Sequence, residues 1–132
     1  MIVVDTSVWI DLLAGRPSPA AARCEELIRA GEPVALTDIV YTELLQGLRD
    51  DAQAAELGTY LDAFPILRLD ALDDHRLAAR LFRQARRQGV TIRKTLDCLI
   101  AAPCVRTGAP ILHQDQDFDR LAACTDLRVF PV

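Results

Sequence analysis

Short apolar runs, rich in β-branched residues, alternate along the chain with longer stretches in which apolar residues recur every three to four positions. The short runs predict buried strands, because a strand covered on both faces is apolar at consecutive positions. The longer stretches predict helices. Strands are predicted at residues 2–4, 34–36, 66–69, 110–113 and 128–130, and helices at residues 6–14, 18–30, 38–48, 51–63, 72–88, 95–107 and 116–123.

Glycine follows four of the predicted helices, in the segments LLAGRP, IRAGEP, RRQGV and RTGAP, as is common where a helix ends. The alternation of strands and helices predicts an α/β fold. We expect a three-layer sandwich, with a mainly parallel central sheet of about five short strands flanked by helices. A chain of 132 residues can bury the core of one such domain but not of two.

The composition is that of a globular protein, with 51% hydrophobic and 26% charged residues and no apolar tract long enough to span a membrane. No basic residues precede the first apolar run and Asp5 interrupts it, so we expect a cytoplasmic protein rather than a secreted one. The four cysteines, Cys24, Cys98, Cys104 and Cys124, form no CxxC pair. This spacing favours reduced, mostly buried thiols over a zinc site or a disulfide framework.

Acidic residues follow two of the predicted strands directly. Asp5 comes straight after the first strand, and His113 and Gln114 lead from the fourth strand to Asp115 and Asp117. Because ligands of open parallel sheets bind at the carboxyl ends of the strands, we expect these acids to lie at one edge of the sheet.

Two further acids lie on predicted helices, on faces that point inward. Glu43 flanks an apolar stripe, and Gly47 leaves room beside it one turn later. Asp97 shares a face with Ile100 and Cys104, in the first turn after a predicted N-cap at Thr95.

Each of these residues also has a purely structural interpretation. Asp97 could stabilise a helix dipole, Asp5 and Asp115 could cap helices, and Glu43 could pair with an arginine. His113 fits a half-buried residue at a strand end better than a ligand, and Trp9 fits the core. Helix capping, however, requires no burial, and it does not explain why several acids converge on one edge. Crowded carboxylates raise one another's pKa unless a cation pairs with them, and oxygen ligands favour Mg²⁺ or Mn²⁺.

The segments IVVDTSVWIDLL, ELLQGL, TIRKTLDCLIAA and HQDQDF, in this order and spacing, resemble the motifs of the PIN-domain ribonucleases, specifically the VapC-type toxins of toxin–antitoxin pairs. The resemblance covers the whole chain. It implies a PIN-like fold, one PIN domain at residues 1–132, and an endoribonuclease that depends on Mg²⁺ or Mn²⁺. It also implies a catalytic and metal-binding cluster of Asp5, Glu43, Asp97 and Asp115, with Asp117 as a frequent additional ligand.

Three positions depart from the family pattern. Pro103 is expected to interrupt a helix that is continuous in many members of the family, Gln114 stands where arginine is common, and Lys94 replaces a small polar residue. None of the three alters an acid, so the departures concern helix geometry and the choice of substrate.

The net charge of −4 argues against a general nucleic-acid binder, but the charge is unevenly distributed. A solvated helix face accounts for Arg80 and Arg83. Arg93 and Lys94 precede Asp97 in a loop and are better candidates for contact with the phosphates of an RNA substrate. Basic residues crowd one segment: Arg80, Arg83, Arg86, Arg87, Arg93 and Lys94.

The resemblance implies two protein partners, a VapB-type antitoxin and a second copy of the chain. Trp9, Leu12 and Leu13 lie on the helix next to Asp5, where they could line a groove for an antitoxin helix. Burial in the core or in a homodimer is the competing explanation for these side chains.

Other classes fit the sequence less well. A haloacid-dehalogenase phosphatase needs a second acid two residues after the first, where this chain has Ser7, and a receiver domain needs paired acids after its first strand. A PIN-like module that only binds other proteins and a housekeeping RNA-processing nuclease remain as alternatives.

Overall fold

The computed structural model describes all residues, 1–132. Four strands and seven helices follow one another along the chain: β1 (Ile2–Val4), α1 (Thr6–Ala14), α2 (Pro19–Arg29), β2 (Val34–Thr37), α3 (Asp38–Gln46), α4 (Asp51–Leu61), β3 (Ile66–Leu67), α5 (Ala71–Arg87), α6 (Thr95–Thr107), β4 (Ile111–Leu112) and α7 (Gln116–Cys124). The predicted α/β class and the flanking of a parallel sheet by helices are confirmed.

The sheet has the strand order β3-β2-β1-β4, and all of its pairings are parallel. Val3 of β1 aligns with Ala35 of β2 on one side and with Ile111 of β4 on the other. The carboxyl ends of the central strands therefore lie together at one edge, and the chain passes from there into α1, α3 and α7.

The prediction of a fifth strand at 128–130 is wrong. Only an isolated parallel bridge joins Val129 to Ile111, held by two main-chain hydrogen bonds, from Ile111 N–H to Arg128 and from Phe130 N–H to Ile111. The pairing stops there because Pro131 has no N–H to donate and β4 is only two residues long.

Strands β3 and β4 are also shorter than predicted. The N–H of Leu69 donates to the side chain of Asp38 at 3.2 Å instead of to a neighbouring strand, and this contact ends β3 early. At the start of β4, Pro110 has no N–H for the ladder, although its carbonyl accepts from Val3 N–H at 2.9 Å.

The helices end close to their predicted positions, and the four glycines that follow them have positive φ angles between 67° and 80°. Two details differ from expectation. Thr95 is the first residue of α6 and not its N-cap; Lys94 occupies the cap position without a side-chain hydrogen bond. Pro103 does not interrupt α6, which continues to Thr107 with the proline ring buried among apolar side chains.

The core lies between the sheet and the helices, and the side chain of Trp9 is fully buried in it. The indole N–H of Trp9 donates to the carbonyl of Val4 at 3.0 Å, and the ring packs edge-on against Phe64. Of the four cysteines, Cys124 is half-buried and the other three are buried, as predicted. No helix is both long and apolar enough to cross a membrane.

One ion pair in the interior joins α5 to α6. The carboxylate of Asp74 is buried and receives hydrogen bonds from Nε and Nη2 of Arg106, both at 3.0 Å. The N–H of Asp70 donates to the same carboxylate at 2.7 Å. These three bonds satisfy a charge that would otherwise be costly to bury.

Candidate active site

The carboxyl ends of β1 and β4 bring acidic residues together at one edge of the sheet. Asp5 follows β1 directly, and its N–H donates to the carbonyl of Leu112, the last residue of β4, at 2.9 Å. Asp115 lies three residues beyond Leu112 and is the N-cap of α7. Both aspartates cap helices, as the structural interpretation predicted, and both also lie at the predicted edge.

Three carboxylates form a group that we call the acidic cluster: Asp97, Asp115 and Asp117. One oxygen from each lies within 4.8 Å of the other two. Asp97 comes from the first turn of α6, whereas Asp115 and Asp117 come from the start of α7. The cluster therefore forms only when these two helices meet.

Asp97 is the member of the cluster whose charge is least compensated. Its side chain is buried, with 6% of the residue exposed, and its Oδ2 has no hydrogen-bond partner. Burial, reinforced by the negative charges of Asp115 and Asp5, raises the pKa of Asp97 to about 7, although Lys94 partly opposes the shift. Buried polar atoms almost always have a partner, so this orphan oxygen calls for a cation or a donor that binds there.

Asp5 lies close enough to raise the pKa of Asp97, but it is not one of the three carboxylates within 4.8 Å of each other. Burial raises the pKa of Asp5, and hydrogen bonds from Ser7 oppose this shift. Both the hydroxyl and the N–H of Ser7 donate to Oδ2 of Asp5, at 2.7 Å and 3.2 Å.

Ser7 is a residue of this site that the sequence argument did not identify. Its Oγ accepts the N–H of Gln114 at 3.2 Å, and the side-chain amide of Gln114 donates to the carbonyl of Ser7 and to Oδ2 of Asp11. Gln114, noted above only as a departure from the family pattern, thus joins α1 to the loop before α7. The position of Ser7 two residues after Asp5 is the only signal in the sequence.

Glu43 lies outside the acidic cluster. It is half-buried on α3, and its Oε1 accepts a hydrogen bond from the hydroxyl of Thr6 at 2.7 Å. Since Thr6 is adjacent to Asp5, the contact places Glu43 beside the β1 edge and not on an open surface. No arginine pairs with Glu43, which removes the structural interpretation of this residue as an ion-pair partner.

Asp117 is fully buried, and both of its oxygens are already bonded. Oδ1 accepts from Arg120 at 2.8 Å, and Oδ2 accepts from the N–H and Nε of Arg93, both at 3.3 Å. Burial disfavours the ionised form, but the hydrogen bonds from Arg120 and Arg93 outweigh it and hold the pKa of Asp117 below its ordinary value. Asp117 is therefore an ionised carboxylate whose negative charge is balanced by two neighbouring arginines.

Asp115 is positioned by His113. The N–H of Asp115 donates to Nδ1 of His113 at 3.1 Å, so the proton of the neutral ring lies on Nε2, which contacts Asp119 at 3.1 Å. His113 is buried and its ring packs against Phe118. It is a buried strand-end residue, as predicted, although more deeply buried than expected.

The two candidate substrate residues lie beside the cluster. Arg93 contacts Asp117 and reaches Asp115 with its Nη2 at 3.5 Å, while its side chain remains 65% exposed. Lys94 is exposed and close enough to lower the pKa of Asp97. Both cations thus border the acids and face solvent, where they can meet a polyanion.

The donor set fits a hard divalent cation. It consists of carboxylate oxygens without a histidine or a thiolate, and it includes a buried oxygen that has no partner. Asp97 and Asp115 are the side chains best suited to hold such an ion. Asp5 adjoins them, and Asp117 could join only by sharing an oxygen that now accepts from an arginine.

The sequence profile of the PIN domain family matches residues 2–123. Ribonuclease VapC11 of Mycobacterium tuberculosis is 38% identical to this chain over 129 residues, which is 97% of this chain and 96% of that protein. The chain belongs to the PIN-domain family. Within it, the chain belongs to the VapC ribonucleases, as the motif resemblance implied.

Solved structures of other proteins share the fold along nearly the whole chain. FitAcB from Neisseria gonorrhoeae has a TM-score of 0.76 at 25% identity and covers 99% of this chain and 97% of its own. VapBC2 from Rickettsia felis, solved bound to a promoter DNA fragment, has a TM-score of 0.76 at 19% identity and covers 98% of each chain. The second comparison shows the fold alone.

Proposed function

We propose that this VapC-family chain is a toxin that acts as an endoribonuclease, with residues 1–132 as its single PIN domain. Its proposed cofactor is Mg²⁺ or Mn²⁺, and its proposed compartment is the cytoplasm. The observation that carries the proposal is the buried, unpartnered Oδ2 of Asp97 in a group of three carboxylates. A fold that buries such an oxygen without a partner gains stability when a cation binds there.

Asp5, Asp97 and Asp115 are the proposed ligands, with Asp117 as an auxiliary acid that the arginines keep ionised. A divalent ion bound by these residues supplies a water of lowered pKa and stabilises negative charge on the leaving oxygen of a phosphodiester. Ser7 and His113 form hydrogen bonds with the proposed ligands. The hydroxyl of Ser7 donates to Asp5, and the ring of His113 accepts the N–H of Asp115. Hydrogen bonds of this kind orient carboxylates and tune their affinity for a metal.

Glu43 and the two cations complete the proposed site. Glu43 carries a carboxylate beside Asp5, where it can hold a water in place or accept its proton, and Thr6 fixes its orientation. Arg93 and Lys94 flank the acids with exposed positive charge, which supports the proposal that they bind phosphates of the RNA substrate. No side chain has to form a covalent intermediate.

We further propose that the chain forms a homodimer and binds a VapB-type antitoxin. A groove of about 610 Å³ lies between α1, α3 and α4, with Ile10, Leu13, Leu57 and Tyr60 among its lining residues. Glu43 also lines this groove, so an apolar helix seated there would lie next to the acids. Of the three apolar residues expected to line an antitoxin groove, Leu13 lines this one, whereas Trp9 is buried in the core and Leu12 lines a different cavity.

The decisive experiment is cleavage of total RNA by the purified protein with Mg²⁺, with Mn²⁺ and with EDTA. We expect cleavage with either metal and none with EDTA. Asp5→Asn and Asp97→Asn should each reduce the rate by at least about 100-fold, because even the loss of a residue behind a metal ligand costs 10- to 100-fold. Asp126→Asn is the matched control, since it removes the charge of an exposed aspartate that forms no ion pair.

Two results would contradict the proposal of a metal-dependent ribonuclease. Cleavage that persists in EDTA would exclude a metal mechanism. An absence of cleavage under all conditions would favour a non-catalytic PIN-like module. The proposed antitoxin is tested by co-expressing the chain with the gene that neighbours its own. Association of the two proteins with loss of nuclease activity supports a toxin. If the proteins do not associate and the activity is retained, a housekeeping nuclease is supported.

A further inference from the structure

The positive charge of this acidic protein is concentrated in one segment. Seven of the fifteen Lys and Arg residues lie between Asp74 and Asp97, and no acidic residue interrupts them. This segment covers most of α5, the loop that follows it and the start of α6. The uneven distribution means that a polyanion meets a basic surface here despite the net charge of −4.

Two of these arginines line a groove between α5 and α6. The groove has a volume of about 440 Å³, and the side chains that matter to its chemistry are Phe82, Arg83 and Arg86 from α5 and Thr95, Cys98 and Leu99 from α6. We call it the α5–α6 groove. Its α5 wall starts at His75 and continues to Arg86, which is one face of the helix over about 16 Å.

Neither groove arginine is neutralised by the protein. Arg83 and Arg86 form no salt bridge, in contrast to Arg76 and Arg106 nearby, which pair with Asp73 and Asp74. The guanidinium of Arg86 lies 5.4 Å from the centroid of the Phe82 ring. The groove thus presents two uncompensated cations beside an aromatic ring.

One end of the groove adjoins the acidic cluster. Thr95, Cys98 and Leu99 line the groove from the same first turns of α6 that carry Asp97. Burial raises the pKa of the Cys98 thiol to about 11, and the negative charges of Asp97 and Asp117 add to this shift, so the thiol lies close to the cluster. None of the acids lines the groove itself, so an RNA chain bound along α5 would have to pass around the first turn of α6 to reach them.

We propose that the α5–α6 groove binds the single-stranded RNA that flanks the cleaved bond, with Arg83 and Arg86 on its phosphates and Phe82 beneath a base. Proteins that bind single strands combine these two features, a basic groove that follows the backbone and an aromatic ring on which a base stacks. This inference rests on the proposed ribonuclease function. It assigns Arg83, which the sequence alone placed on a solvated face, to the binding surface.

The test is the affinity of a labelled, mixed-sequence single-stranded RNA, measured by fluorescence anisotropy in EDTA over a range of salt concentrations. The double variant Arg83→Ala/Arg86→Ala should bind at least about tenfold more weakly. Its slope of log affinity against log salt should fall by about 1.4, since each phosphate contact on a single strand contributes about 0.7. Phe82→Leu, which retains an apolar side chain, should weaken binding about tenfold with an unchanged slope.

The matched control is Arg80→Ala/Arg87→Ala. It removes two unpaired arginines from the same helix, and neither of them lines the groove. We expect it to change the affinity less than about threefold, through the lost net charge alone. In the cleavage reaction with Mg²⁺, the groove variant should differ from the control in KM and not in kcat, because neither arginine contacts the acidic cluster.

Two outcomes would overturn the proposal. One is equal RNA affinity of the groove variant and the control. The other is a change of molar mass in light scattering for the groove variant alone, which would assign the groove to contact between copies of the chain. Cleavage by the wild type distinguishes failure of the groove proposal from failure of the ribonuclease proposal. If the wild type cleaves RNA but the two double variants bind RNA equally well, only the proposal that the groove binds RNA is contradicted.

Discussion

Asp97 and Asp117 lie in the same carboxylate cluster but in opposite electrostatic environments. Asp97 has an oxygen with no partner and a pKa raised to about 7 by burial and by neighbouring negative charge. Asp117 is even more deeply buried, yet hydrogen bonds from Arg120 and Arg93 lower its pKa. The carboxylate of Asp97 therefore lacks a cationic partner, whereas the carboxylate of Asp117 is paired with two arginines of the protein.

This difference predicts opposite effects of the same substitution on stability. Asp97→Asn should leave the metal-free protein as stable as the wild type or more stable at pH 8, because it removes a buried charge without a partner. Asp117→Asn should destabilise the protein by about 3–5 kcal/mol, since it leaves Arg120 and Arg93 without their shared carboxylate. Urea denaturation measures both. Equal loss of stability in the two variants would contradict the assignment.

The raised pKa of Asp97 predicts that the metal-free protein loses stability as the pH rises. Between the ordinary pKa of 3.8 and about 7, the folded state retains a proton on Asp97 that the unfolded state has lost. Folding therefore binds protons in this window, and stability falls from about pH 4 to about pH 7 and changes little above it.

Thermal unfolding at pH 5 and pH 8, with and without Mg²⁺, measures this effect. Mg²⁺ should raise the Tm more at pH 8, where Asp97 is ionised, than at pH 5. Asp97→Asn should remove this part of the pH dependence and reduce the stabilisation by Mg²⁺. An identical pH profile in the wild type and in Asp97→Asn would show that another group is responsible.

His113 should tolerate asparagine better than alanine. Its Nδ1 accepts the N–H of Asp115, two residues later, and an asparagine side chain can accept the same bond in an Asx turn. His113→Ala leaves that N–H unsatisfied and should cost about 1–3 kcal/mol, with weaker binding of Mn²⁺ through the displaced Asp115. Calorimetric titration with Mn²⁺ checks the second effect. If asparagine and alanine weaken Mn²⁺ binding equally, the bond to Asp115 does not position the ligand.

The ion pair between Asp74 and Arg106 should contribute to stability and not to catalysis. Arg106→Ala leaves Asp74 buried without its main partner, and about 3 kcal/mol of stability should be lost. Arg76→Ala is the control on α5, the helix that carries Asp74, because the pair of Arg76 with Asp73 is exposed and should be worth less than about 1 kcal/mol. The activity of the folded fraction should be unchanged in both variants. Loss of activity in folded Arg106→Ala would place the pair in the catalytic machinery.

Local patterns in the sequence are sufficient to predict the helices and strands and the acidic residues at the strand ends. The runs that form β1 and β2 are short, apolar and followed by polar residues. The glycines after four helices have positive φ angles, which glycine adopts without steric strain. The positions of Asp5 and Asp115 follow from the same patterns, because a parallel sheet places the ends of its strands together. These features depend on neighbours within a few residues, and such neighbours are visible in a sequence.

Only the tertiary structure decided which partners these residues have. Gln114 bonds to Ser7 across 107 positions, Asp74 to Arg106 across 32, and Arg93 to Asp117 across 24. No periodicity or spacing records such pairs, because they arise from the packing of whole helices against one another. The same packing leaves Oδ2 of Asp97 buried without a partner and Arg83 and Arg86 without acids, since burial and charge compensation are properties of an assembled surface and not of a single segment.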